Sequence, residues 1–232
     1  MLLEVNNLDV GYQYKRVIRG ASVNVNGGEF VALIGHNGAG KTTLLKAVCG
    51  YLKATGGSVT YKGENITNKS PAINVKKGIS FVHQEKSLFP NLSVVENLQL
   101  AAYAIGKTDD LSAKLEDVYR LFPILKDRGK QLAQTLSGGQ QKQLAVGMAM
   151  LIRPDLLLLD EPSLGLSPNI VKDLGKVLKK IQDMGTAMLL VEQNVKMAIS
   201  LAQRIYVIRT GQIILEETQE NMMKRPSLWD LF

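Results

Sequence analysis

The sequence predicts an α/β fold, a parallel sheet flanked by helices. Three observations carry that reading. Phe30-Val31-Ala32-Leu33-Ile34 is a short apolar run of strand formers, followed by a glycine-rich loop and a helical pattern. Leu156-Leu157-Leu158-Leu159 reads as a strand buried on both faces, as central strands of parallel sheets are. Residues 153–216 alternate strand and helix.

The elements follow in chain order. Met1-Leu2-Leu3-Glu4-Val5 opens directly into a strand pattern, without the basic start and apolar core of a signal peptide. Residues 1–83 read as strands plus one helix. That helix starts at Thr42-Thr43-Leu44-Leu45 and is stopped by Gly50. Residues 57–62 form a strand closed by the turn residue Gly63, and Ile79-Ser80-Phe81-Val82 form another. Residues 84–152 read as mostly helical. Ser93 and Glu96 make a capping-box pattern, and residues 110–122 and 138–152 follow as helices. Val171, Leu174, Val177, Leu178 and Ile181 mark one apolar helical face. Thr186-Ala187-Met188-Leu189-Leu190-Val191 is a strand. Residues 217–232 end in Leu228-Trp229-Asp230-Leu231-Phe232, read as a terminal helix docking on the domain, with a partner contact as the alternative.

Chemistry enters at Gly35-His36-Asn37-Gly38-Ala39-Gly40-Lys41-Thr42, followed by Thr43. It fits the phosphate-loop pattern G-x-x-x-x-G-K-[ST] at every fixed position, between a strand and a helix. The glycines let successive backbone N–H groups turn inward, and the helix N-terminus adds partial positive charge. Lys41 is positioned for β- and γ-phosphates and the Thr42 hydroxyl for Mg²⁺. Asp160 emerges at the C-terminal end of the leucine strand, where open α/β sheets bind ligands and a carboxylate can hold Mg²⁺. Glu161, one residue on, is placed to polarise an attacking water.

Composition bounds the alternatives. The 232 residues suffice for one large α/β domain with a subdomain, and 45% are hydrophobic. The longest apolar runs fall well short of the ~20 residues of a membrane helix. The lone Cys49 excludes an internal disulfide and reads as a small buried residue. His83 reads as a strand-end packing residue. The net charge of +7 suits a polyanionic nucleotide and a place beside an anionic membrane surface. Nucleic acid is not expected: the lysines and arginines are scattered, and aromatics make up 6% of the chain.

Leu136-Ser137-Gly138-Gly139-Gln140-Gln141, followed by Leu159-Asp160-Glu161-Pro162, gives the phosphate loop its family. In this order the motifs resemble the ATPase subunit of ABC transporters, across essentially the whole chain. The resemblance implies a P-loop NTPase fold: a RecA-like core with an antiparallel β-subdomain (approximately residues 1–83 and 153–232) and an inserted helical subdomain (84–152). It implies ATP and Mg²⁺ as cofactors, with Thr42, Asp160 and Gln84 at the metal. Tyr12 takes the place of the aromatic ring that stacks on adenine, with Tyr14 a neighbouring candidate. Gln84 looks like the glutamine that meets Mg²⁺ and the attacking water. Ser137, Gly138, Gly139 and Gln140 complete the site of a second ATPase subunit, head to tail, in a homo- or heterodimer. Transmembrane permease subunits are the other implied partners, with a substrate-binding protein acting indirectly. The implied location is the cytoplasmic face of the cell membrane.

Four positions depart from the family pattern. Ser167 stands where many members carry aspartate. Gln193 stands where most have a histidine that contacts the γ-phosphate; its amide can hydrogen-bond but cannot carry a proton. Gln143 and Met148 replace arginines often seen after the signature glycines. Val191-Glu192-Gln193-Asn194, with Glu161-Pro162-Ser163-Leu164-Gly165-Leu166, resembles one of the two ATPase subunits of importers for branched-chain and other hydrophobic amino acids. Many members of that subgroup lack the glutamine at Gln84. Two alternatives stay open: a soluble ATPase of a cytosolic assembly such as iron–sulfur cluster building, and a weakly hydrolysing regulatory subunit.

Overall fold

The computed structural model describes residues 1–13, 15–84, 87–103, 110–225 and 227. Tyr14 and the closing residues 228–232 therefore lie outside the described residues. Two sheets organise the chain. The larger has six strands in the order β10-β9-β3-β8-β7-β6: β3 (Phe30–Ile34), β6 (Ile79–Val82), β7 (Leu156–Asp160), β8 (Ala187–Glu192), β9 (Arg204–Arg209) and β10 (Gln212–Thr218). All its pairings are parallel except β9–β10. The smaller sheet is antiparallel: β1 (Leu3–Tyr12), β2 (Lys15–Val25), β4 (Ala54–Tyr61) and β5 (Glu64–Asn65), in the order β2-β1-β4-β5.

Strand periodicity sorts the core into two layers. Ala32, Ile34, Leu157, Leu159, Met188 and Leu190 face one side of the six-stranded sheet. There they meet α3 (Val94–Tyr103), α4 (Leu111–Leu121), α5 (Pro123–Asp127), α6 (Gly138–Met150), α7 (Pro168–Asp183) and α8 (Val195–Leu201). Val31, Leu33, Leu156, Leu158, Leu189 and Val191 face the other side. That side is covered by α1 (Lys41–Cys49) and, beyond it, the antiparallel sheet. Both faces are thus filled, which is why the leucine run of β7 carries no polar alternation. Each of its fully buried leucines stabilises the fold by roughly 1.5–3 kcal/mol.

Several expectations meet the structure directly. The Ser93 hydroxyl accepts from the Glu96 N–H at 3.3 Å while the Glu96 carboxylate accepts from the Ser93 N–H at 2.7 Å, so the capping box starts α3. On α7, Leu174, Leu178 and Ile181 are buried and Val171 and Val177 partly so. Cys49 is buried, and the His83 ring packs on Phe81 with centroids 4.0 Å apart.

Others need correction. Residues 1–83 hold a second helix, α2 (Pro71–Lys76), entered through Pro71 at its first turn. The helical stretch contains the extra α5, started the same way by Pro123. Strand–helix alternation stops at β9, because Thr210-Gly211 turns the chain back as an antiparallel hairpin. Within the C-terminal stretch a helix does form, α9 (Gln219–Lys224), capped by the Thr218 side chain with Met222 buried, while the closing aromatic segment lies outside the described residues.

Candidate functional site

The C-terminal ends of β3, β6, β7 and β8 lie side by side at one edge of the six-stranded sheet. The loops that leave them are the phosphate loop, the Gln84 segment, the Glu161 corner and the Gln193 turn. This is the edge where parallel sheets bind ligands.

The loop from Gly35 to Gly40 delivers the chain into α1. Gly38 and Gly40 have φ of 80° and 111°, a conformation side chains other than glycine's rarely adopt. A Cβ at Gly35 would stand 2.4 Å from the Ile208 carbonyl oxygen, so a close backbone approach also selects glycine there. Gly40 caps α1 without a side-chain bond, leaving the helix's first N–H groups directed to the loop. Exposed His36 and Asn37 and buried Ala39 complete the loop.

The Lys41 ammonium is buried at the centre of the site. It donates to the carbonyl oxygens of Gly35 at 2.8 Å and His36 at 3.1 Å, and pairs with Glu161 Oε1 at 3.1 Å. The Gln84 amide donates to the other Glu161 oxygen at 3.3 Å. The Lys142 ammonium on α6 donates to the Gln84 carbonyl at 2.5 Å, which ties that segment to the helical layer. Thr42 Oγ1 donates to Asp160 Oδ1 at 2.9 Å. A hydroxyl and a carboxylate brought together in this way form a hard-oxygen pair. That donor set suits Mg²⁺, which takes one or two carboxylates and completes its shell with phosphate and water. Burial, first of all, raises the Asp160 carboxyl above the usual range. The charge of Glu161 adds to this, while the Thr42 hydroxyl and the Lys46 and Lys41 cations oppose it.

Glu161 sits at a left-handed backbone position, φ 45°, uncommon for a residue with a side chain. Its N–H donates to the Val191 carbonyl at 2.9 Å, pinning the corner to β8.

A cleft of about 520 Å³ opens over these groups. Asn37, Gly38, Gly40, Lys41, Thr42, Thr43, Gln84 and Glu161 line it, and the half-exposed Tyr12 ring stands at its edge. Lys15, Val17 and Leu164 also line it. No motif marks Lys15 or Val17 in the sequence, and Leu164 was quoted there without a place in the site.

Two groups of predicted residues lie outside the cleft. Ser137 and Gly138 are exposed at the start of α6, where Ser137 and Gln140 form a reciprocal capping box. Gly139 is buried against α7, and a Cβ there would come within 2.8 Å of Ile170 Cγ2. Gln193 is exposed just after β8. Glu192, part of the quoted turn but given no site role by the sequence reading, is buried and accepts the Ser163 N–H at 2.9 Å. A carboxylate closing an otherwise apolar strand was the available signal.

Backbone N–H groups at a helix start, one ammonium and a neighbouring carboxylate are the groups that can hold a polyphosphate and act on a water. Comparison with known proteins gives the family. The family model described as ABC transporter matches residues 18–164. The high-affinity branched-chain amino acid transport ATP-binding protein BraG of Pseudomonas aeruginosa is 38% identical over 231 residues, covering 100% of this chain and 99% of that protein. The lipopolysaccharide export system ATP-binding protein LptB of Haemophilus influenzae is 33% identical, covering 96% and 92%. The crystal structure of the ADP conformation of an ATP-binding cassette superimposes with a TM-score of 0.86 at 27% identity, covering 99% and 97%.

Proposed function

The chain belongs to the ABC transporter family and is an ATPase of that family, and from that premise we propose that it powers an importer of branched-chain or other hydrophobic amino acids. The observation that carries the ATPase chemistry is the meeting of Lys41, Thr42, Gln84, Asp160 and Glu161 around one cleft. The Val191-Glu192-Gln193-Asn194 turn and the full-length similarity to the branched-chain relative support the substrate class.

Lys41 and the loop N–H groups bind the β- and γ-phosphates and stabilise the charge that grows on the γ-phosphoryl group in the transition state. Thr42 and Asp160, with Gln84 beside them, would hold Mg²⁺, which would neutralise phosphate charge. Glu161 accepts a proton from, or aligns, the attacking water, and Gln84 orients Glu161 through their hydrogen bond. Gln193 donates its amide to the γ-phosphate. Tyr12 stacks on adenine. Ser137, Gly138, Gly139 and Gln140 stand apart from their own chain's phosphate loop, as they do if they serve a second subunit. The pair of subunits works beneath transmembrane permeases at the cytoplasmic face of the membrane, fed by a substrate-binding protein.

The test is uptake. Cells lacking the chain are expected to lose energy-dependent accumulation of labelled leucine, isoleucine and valine, with restoration by the wild type but not by Lys41→Ala. Unchanged uptake together with a defect in lipopolysaccharide export would assign the chain to export, the activity named for the LptB relative. Recovery of the chain with a soluble scaffold and no permease would favour a cytosolic assembly.

A further inference from the structure

Glu192 ends β8, paired in register with Ile34, the residue before the phosphate loop. It is 1% exposed. Each carboxylate oxygen accepts one backbone N–H: Oε1 from Ser163 at 2.9 Å and Oε2 from Asn194 at 3.1 Å. Ser163 lies two residues after Glu161, and Asn194 directly follows Gln193. One buried side chain therefore joins the two loops that carry the water-activating carboxylate and the γ-phosphate glutamine.

The Glu161 corner needs such a clamp. Its left-handed backbone persists only where the surroundings over-determine it. The Glu161 N–H is held by the Val191 carbonyl at 2.9 Å. Pro162 has no N–H to offer. The next donor is Ser163, and Glu192 receives it. Two bonds to β8 thus bracket the corner, one from the strand backbone and one from the Glu192 side chain.

Only a carboxylate suits both partners, because both are donors. A glutamine would turn its NH₂ group toward one of the two N–H groups and leave it unsatisfied. Burial, first of all, raises the Glu192 carboxyl above its usual range, and the neighbouring Glu161 charge adds to this. The Ser163 hydroxyl and the Ser163 and Asn194 N–H groups oppose the rise.

We propose that Glu192 is a positioning residue for ATP hydrolysis: it holds Glu161 and Gln193 in mutual register by clamping the backbones of Ser163 and Asn194. The proposal rests on the reading of Glu161 and Gln193 given above. It makes the two loops one mechanical unit, so that a displacement of the Ser163 loop is carried to Gln193.

Steady-state ATPase kinetics of Glu192→Gln, Gln193→Ala, the double variant and Glu161→Gln test it. Glu192→Gln is expected to lower kcat about 5- to 150-fold, the rate equivalent of one buried donor left unsatisfied. KM for ATP is expected to stay within about threefold of wild type, because the phosphate loop is untouched. In the Gln193→Ala background the effect should shrink, since part of it runs through Gln193. A kcat within about twofold of wild type, or a raised KM at constant kcat, would overturn the proposal. Full activity of Glu161→Gln would instead sink the reading of the site on which it rests. If Glu192→Gln does not fold, amide exchange of the wild-type chain decides. The Ser163 and Asn194 N–H groups should exchange slowly and to a similar degree, and rapid exchange of both refutes the clamp.

Discussion

The Lys41 ammonium lies 3.1 Å from Glu161 Oε1, and the two side chains are only 4% and 8% exposed. The two side chains proposed to meet the γ-phosphate and the attacking water are therefore each other's counter-ions. On that proposal, an arriving phosphate competes with Glu161 for Lys41 and frees the carboxylate to face the water.

Glu161→Gln removes the charge from this pair and keeps its shape. ATP affinity is expected to hold or tighten, while hydrolysis falls about 10²-fold or more, the low end for losing a general base. Nucleotide binding and steady-state turnover, measured separately, check both halves. Turnover within about twofold of wild type would remove Glu161 from the chemistry.

Lys41→Ala removes the ammonium proposed to meet the phosphates and also strands a buried carboxylate. Breaking a buried pair from one side costs up to about 3–5 kcal/mol. The Gln84 amide, at 3.3 Å from the same carboxylate, remains to offset part of it. Urea unfolding of the nucleotide-free chain should find Lys41→Ala less stable than wild type and Lys41→Ala/Glu161→Gln between the two. A double variant no more stable than the single would show that the pair contributes little. Both variants should bind ATP more weakly and show no turnover.

Asp160 gives a pH signature. Burial raises its folded-state pKa above the ordinary value, the Glu161 charge adds to the rise, and Thr42, Lys46 and Lys41 moderate it. Above the raised value the carboxyl is ionised in both states, and only the folded state bears the cost of burial. As pH falls through that value the folded state takes up the proton first and gains stability. The gain is complete below the unfolded value of about 3.9. Asp160→Asn carries no such charge. Its nucleotide-free melting temperature should exceed that of wild type near about pH 7.5, with the difference closing toward about pH 4. Its affinity for Mg²⁺–ATP should fall at the same time. A difference independent of pH would refute the argument.

The sequence made the catalytic edge legible because each of its strands is a short apolar run with polar residues at its C-terminal end. Asp160 and Glu161 could be placed from that pattern and Gln84 only from the family resemblance; Asp160 meets Thr42, and Glu161 meets Lys41 and Gln84. Glu192 escaped for a physical reason: its partners are backbone N–H groups of Ser163 and Asn194, which no side-chain pattern reports. Lys15 and Val17 escaped because a neighbouring strand carries them to the cleft through tertiary packing. The short helices α2 and α5 have five or six residues, too few for an amphipathic period to show.

Ser137 caps α6, and the proposed function gives it a second duty toward a partner subunit; its variants separate the two. Its side chain and that of Gln140 form the capping box at the start of α6. Ser137→Ala should therefore cost about 0.5–2 kcal/mol of stability whether or not a second subunit is present. Ser137→Arg adds a bulky cation where small donors would face the partner's γ-phosphate. It should block ATP-driven dimerisation while leaving ATP binding by the monomer nearly intact. In a mixed dimer, the site opposite the substituted subunit should fail and the other survive. Equal loss at both sites would contradict a head-to-tail arrangement.

Gln193 is the sharpest departure from the family pattern, and it is exposed, where it can turn toward an incoming phosphate. If it only positions the γ-phosphate and Glu161, Gln193→His should hydrolyse ATP as fast as wild type or faster. Gln193→Ala should be slower, because a hydrogen bond worth about 0.5–1.5 kcal/mol is lost. That corresponds to about a 2- to 13-fold change if the bond forms only in the transition state. If the chain is instead a weak site that relies on a partner, alanine should be nearly silent in the isolated subunit and histidine should raise the rate sharply. ATPase rates of wild type and both variants, alone and with membrane partners, distinguish the cases. An alanine variant that matches wild type in both settings would take Gln193 out of the mechanism, and would leave Glu192 with only the Glu161 corner to hold.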